Sequence, residues 1–125
     1  KVTPGLRVPK SSDPGAVSRD PRSVKEYIND PLCCHFNTIR QATQVLGAIA
    51  ALPKVAAGIS CPTLIVHGSG DQIIRVEGSF EILQKLTCGD RTLHIYPGGF
   101  HELHNDLDKD VYFANLEVWI KARLL

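Results

Sequence analysis

The feature that most constrains this chain is a local order repeated in its second half. The segment "CPTLIVHG" at 61–68 is a short, continuous apolar run that begins near a proline, and "RTLHIYPGG" at 91–99 has a similar form. Such runs belong to parallel strands covered on both faces, where proline is tolerated at the start. Between them, "VEGSFEILQKLTCGD" carries Phe80, Leu83 and Leu86 roughly on one side and stops at Cys88-Gly89, the pattern of a helix with a glycine terminus. The last segment, "KDVYFANLEVWIKARLL", puts Phe113, Leu116, Ile120 and Leu124 on one stripe of a closing helix. Strand, helix, strand, helix implies a right-handed crossover in a parallel sheet, an α/β architecture. Two strands alone would leave their edges unpaired and one side of the core open. They are therefore expected to continue a sheet built from residues outside this chain.

The first half reads differently. Residues 1–18 are rich in Pro, Ser, Gly and basic side chains, which predicts an irregular, exposed lead-in with little chemistry. A short helix follows, capped by Asp20 with Pro21 at its first position and ended by Asp30-Pro31. A longer helix starts near Asn37 or Thr38 and carries Ile39, Ala42, Leu46, Ile49 and Leu52 at helical spacing. Pro53 is expected to interrupt it and Gly58 to close the helical region. Because "VLGAIAALPKVAAG" is apolar nearly all round, it must be buried or lie against lipid or an apolar ligand.

Composition narrows the function classes. A net charge of +1, with basic residues scattered and not interleaved with aromatics, offers no footprint for nucleic acid. No apolar window is long enough for a membrane span, and no secretory leader pattern opens the chain. The chain lacks methionine altogether, its first residue included, and is expected to be a segment of something longer. Its four cysteines, Cys33, Cys34, Cys61 and Cys88, form no C-x-x-C pair, so they are expected to be free, buried thiols in a reducing, cytoplasmic compartment.

Function in an open α/β sheet gathers at the carboxyl ends of the strands. Asp71 follows the first strand and His101 the second, each after paired glycines: Gly68 and Gly70 before the acid, Gly98 and Gly99 before the imidazole. Adjacent parallel strands lie about 4.8 Å apart, so side chains just beyond their ends can meet. A carboxylate that accepts from one imidazole nitrogen fixes the tautomer and leaves the other nitrogen free to take a proton from a nucleophile. His104 is an alternative base. Asp90 and Asp106 are alternative acids, but Asp90 precedes its strand and Asp106 reads as support for the closing helix. His67 and His94 are read as packing or edge residues. The histidines of "HELH" are three apart, against the four that a helical zinc site needs. "CCH" at 33–35 is poorly spaced for one ion, and "GSG" at 68–70 lacks the spacing of a phosphate-binding loop, so no metal or cofactor is expected.

These residues carry a resemblance. "CPTLIVHGSGDQIIRVEGSFEILQKL", then "RTLHIYPGGFHELHND" and "VWIKARL", resembles the C-terminal part of the monoacylglycerol lipase and lysophospholipase branch of the α/β-hydrolases. The resemblance implies a parallel hydrolase sheet with flanking helices over residues 59–125, preceded by a helical cap over residues 1–58. Asp71 and His101 match the family's acid and base. The serine of the family's triad sits on a G-x-S-x-G elbow that this chain lacks, and Ser69 lies at the wrong spacing to replace it. The implied reaction is cleavage of lipophilic carboxylic esters, with the nucleophile supplied from an N-terminal half or a second chain and the 125 residues inactive alone. Leu46 and Ile49 on the cap and Ile73 on the acid loop are the expected substrate contacts, and peripheral contact of the apolar helix with a membrane is a further expectation. The opposing reading is a non-catalytic hydrolase-like module that binds an apolar ligand or a protein partner.

Overall fold

The computed structural model describes residues 3–10 and 12–124. Two three-residue strands, β1 (Arg7–Pro9) and β2 (Phe36–Thr38), pair antiparallel with Val8 opposite Asn37. Between them lies α1 (Pro21–Asn29). Asp20 caps it by accepting from the Arg22 amide, and Pro21 occupies the first helical position, where its missing N–H costs nothing. The expected featureless lead-in is corrected over its described residues: it holds β1 and a 3-10 turn at Pro14–Ala16, and Ala16, Val17 and Ser18 are buried. Composition misled here because exposed prolines and serines surround a short buried stretch. The part of that expectation on Lys1, Val2 and Ser11 lies outside the described residues.

Helix α2 (Ile39–Ala57) begins where Thr38 accepts from the Gln41 amide, and ends at Gly58. Pro53 does not interrupt it. A helical proline forfeits one hydrogen bond, to the carbonyl four residues earlier. That carbonyl belongs to Ile49, on an exposed stretch where solvent can replace the lost donor. Of the alternatives for its apolar second half, burial within these residues is not met: Leu46, Ile49 and Val55 are exposed, and Ala56 is the buried residue of the helix. Within these 125 residues too few elements surround α2 to cover it. Ala56 packs with Leu86 and Cys88 in a small core, joined by Ile59, Ile65, Ile82 and Leu83.

The second half follows the expected order: β3 (Thr63–Gly68), α3 (Glu77–Lys85), β4 (Arg91–Tyr96) and α4 (Lys109–Leu124). β3 and β4 pair in parallel, from Thr63 opposite Arg91 to Gly68 opposite Tyr96. On α3 the inward residues are Ile82 and Leu83, with Leu86 just beyond, while Phe80 is exposed. On α4 the stripe is rotated from the expected one. Tyr112, Leu116, Trp119 and Arg123 are its less exposed positions, whereas Phe113, Ile120 and Leu124 face outward. Polar handles decide this: Tyr112 stacks edge-on against Tyr96, Trp119 Nε1 donates to Thr92 Oγ1 at 3.4 Å, and Arg123 pairs with Asp90 at 2.6 Å. Of the four free cysteines only Cys88 is buried, which corrects the expectation for Cys33, Cys34 and Cys61. No helix among the described residues is long and apolar enough to cross a membrane.

Candidate active site

The loops after β3 and β4 interlock. The Ser69 amide donates to the Tyr96 carbonyl at 2.9 Å, the Gly70 amide to the Gly99 carbonyl at 2.9 Å, and the Gly98 amide to Ser69 Oγ at 2.8 Å. Glycines are indispensable to this fit, Gly68 and Gly98 above all. A Cβ on Gly68 would lie 2.2 Å from the Gly99 carbonyl oxygen, so only a bare backbone lets the loops approach. Gly98 has φ +69°, in a turn closed by the Gly99 amide on the Tyr96 carbonyl with Pro97 at its second position.

The interlock brings Asp71 and His101 together. His101 Nδ1 lies 2.9 Å from Asp71 Oδ2. Asp71 Oδ1 accepts from the amides of Ile73 at 2.7 Å and Ile74 at 2.9 Å, so the loop itself aims the second oxygen at the imidazole. The acid side chain is 5% exposed and the imidazole 37%, an interior carboxylate beneath a ring open to reagents. Burial pushes the Asp71 carboxyl up, but the Ile74 amide, the His101 ring and the Ile73 amide together outweigh it and hold the acid below the usual carboxylate range. An ionised Asp71 accepts from Nδ1–H, which leaves Nε2 as the basic nitrogen.

A second carboxylate anchors the base loop, and sequence reasoning assigned it only to the closing helix. Asp106 is 2% exposed. It accepts from the amides of Phe100 at 2.8 Å, Arg19 at 2.8 Å and Leu107 at 3.0 Å, and from Arg19 Nε at 2.9 Å. The Glu102 amide also donates to the Val17 carbonyl at 2.8 Å, so both neighbours of His101 are tied to residues 17–19. Burial raises the Asp106 carboxyl, yet the Phe100 and Arg19 amides, the Arg19 guanidinium and the Leu107 amide leave it depressed overall. The run "SRD" at 18–20 was the available signal: Ser18 Oγ reaches the Asn105 carbonyl, Arg19 pairs with Asp106, and Asp20 caps α1.

Residues 1–108 match the Hydrolase_4 family, described as serine aminopeptidase, S33. The chain belongs to that family. Over 125 residues it is 34% identical to a monoacylglycerol lipase of Mycolicibacterium smegmatis, covering 99% of this chain and 44% of the relative. Over 126 residues it is 36% identical to a monoglyceride lipase homolog of monkeypox virus, covering 98% and 45%. The crystal structure of the Paleococcus ferrophilus monoacylglycerol lipase superposes with a TM-score of 0.89 at 30% identity, over 97% of this chain and 48% of that one. The chain thus spans less than half the length of these relatives. Its fold is that of an α/β-hydrolase, with a small parallel sheet and flanking helices, and it is monoacylglycerol lipase-like.

Within this hydrolase chain the other expected site residues separate. Ile73 lines a cavity of about 570 Å³ together with His101, Val17, Tyr27 and Glu102. Leu46 and Ile49 are absent from its lining and stand exposed on α2, at 66% and 57%. Besides Ile73 and His101, that cavity is walled by residues of the lead-in, α1, β2 and the two loops. His104 and His101 both border a smaller cavity of about 290 Å³ that also holds Asp71 and His67. Asp90 sits at the opposite end of β4, paired with Arg123.

Proposed function

We propose that Asp71 and His101 are the acid and base of a Ser-His-Asp triad in a serine hydrolase that cleaves lipid carboxylic esters, similar in substrate class to the monoacylglycerol lipases. The observation that carries the reading is the 2.9 Å contact of His101 Nδ1 with a buried, amide-braced Asp71 beyond two neighbouring parallel strands. Asp71 keeps the Nδ1–H tautomer and balances the imidazolium that forms when Nε2 takes the nucleophile's proton. His101 then returns that proton to the leaving alcohol, and water repeats the cycle on the acyl-enzyme.

The nucleophile comes from outside these 125 residues. No G-x-S-x-G occurs among them, and Ser69 Oγ accepts the Gly98 amide as part of the loop interlock. The chain alone is therefore inactive, and upstream strands complete its sheet. The family is described by a peptidase and the relatives by lipases, and one triad serves either acyl group. The ester reading follows the relatives. Residues 1–58 act as a cap, with the cavity at Ile73 and His101 admitting the ester.

The test is labelling of the full-length protein with a serine-directed fluorophosphonate. His101→Ala abolishes labelling if the base is assigned correctly. Persistent labelling would move the base to His104.

A further inference from the structure

His67 is the fifth residue of β3 and takes no part in the triad proposed above. Its side chain is 9% exposed, and both ring nitrogens are engaged. Nδ1 lies 2.7 Å from Ser79 Oγ, and Nε2 lies 3.1 Å from the Ile74 carbonyl and 3.4 Å from Asp71 Oδ2. A carbonyl oxygen can only accept, so the proton sits on Nε2. In the neutral ring Nδ1 must then accept, and the Ser79 hydroxyl is its donor.

Ile74 is thereby held at both of its backbone polar groups. Its carbonyl takes the Nε2–H of His67, and its amide donates to Asp71 Oδ1 at 2.9 Å. The His67 contact thus restricts Ile74, whose amide is one of the two that hold Asp71 Oδ1. The imidazole is itself fixed to α3 through Ser79.

We infer that His67 is a positioning residue for Asp71: through its Nε2–H it holds Ile74, and with Ile74 the carboxylate, in the orientation that presents Oδ2 to His101. The same Nε2 lies 3.4 Å from Asp71 Oδ2, longer than a good hydrogen bond, which leaves that oxygen to His101 at 2.9 Å. The catalytic consequence rests on the proposed hydrolase function, but the tautomer does not.

Glutamine and asparagine separate the two ring nitrogens. The glutamine amide reaches as far as Nε2 and can still donate to Ile74, while the asparagine amide reaches only to the depth of Nδ1. In the full-length protein, with a monoacylglycerol as substrate, His67→Gln is expected to keep kcat within about threefold of wild type. His67→Asn is expected to lower kcat by about ten- to a hundredfold with KM little changed, the size of effect that a misaligned catalytic group produces. Equal kcat losses in both variants, or none in the asparagine variant, would overturn the inference. The tautomer is read separately by nitrogen-15 NMR of the histidine rings in the unreacted wild-type protein. A ring proton on Nε2 of His67 supports the inference, and an Nε2 without a proton overturns it whether or not the variants fold. If wild type cleaves no ester, the proposed function fails and the tautomer alone decides the His67 contact.

Discussion

Asp71 and Asp106 make an instructive pair, because the same side chain sits buried in two neighbouring loops and accepts backbone amides in each. Asp71 satisfies its loop with one oxygen and holds the other against an imidazole, a partner that can gain or lose a proton. Both oxygens of Asp106 are taken, by three amides and a guanidinium that never titrates in the working range. A buried carboxylate can serve proton transfer only if one oxygen faces an exchangeable partner. Saturated by a permanent cation, it becomes a brace.

Substitutions should separate the two. Asp71→Asn retains an oxygen for the Ile73 and Ile74 amides, so the full-length protein should keep its fold while turnover falls by about ten-thousandfold, the imidazole having lost its tautomer. Steady-state kinetics alongside a melting curve checks this, and a mild loss would transfer the acid's role to another carboxylate. Asp106→Ala should instead lower stability, by about 2–3 kcal/mol, through the amides and the guanidinium left unpaired. Denaturant titration measures that loss. A fall in turnover without a loss of stability would contradict the contrast drawn here.

Acid sharpens the comparison further. Both carboxyls are held below their ordinary value of about 3.9 in the fold, so their stabilisation is complete above that value and is lost as pH falls through the depressed folded values. Unfolding midpoints should therefore drop below about pH 4, and Asp106→Asn should flatten the drop. The smallest effect is expected at Ser69. Its replacement by alanine frees the Gly98 amide, costing about 1 kcal/mol, and leaves fluorophosphonate labelling of the full-length protein intact.

What was legible in the sequence follows from how locally each feature is determined. Asp20 with Pro21, Thr38 before its helix and Gly58 after it are decided within a turn of backbone, and all stand where the pattern put them. The strand runs and the glycines ahead of Asp71 and His101 are equally local, and they brought the acid and imidazole to adjacent strand ends. The face of α4 was misjudged because periodicity counts apolar side chains, whereas Trp119 and Arg123 are oriented by polar partners on the β4 side. Val17, Ser18 and Arg19 escaped notice because their partners, Glu102, Asn105 and Asp106, lie more than eighty residues away. The apolar surface of α2 was readable as a demand for cover, but Leu46 and Ile49 could not reveal what meets that demand.

That distant stitch has a consequence for the order of assembly. The contact between Arg19 and Asp106 closes a span of 87 positions, a closure that costs chain entropy before any contact rewards it. Helices and the paired strands can form from nearby residues, and the Phe100 amide finds Asp106 six positions on, but the Glu102 amide meets the Val17 carbonyl only once residues 17–19 dock. The loop that carries His101 is therefore completed late, and trimming the first nineteen residues would leave the strands paired while one flank of that loop loosens.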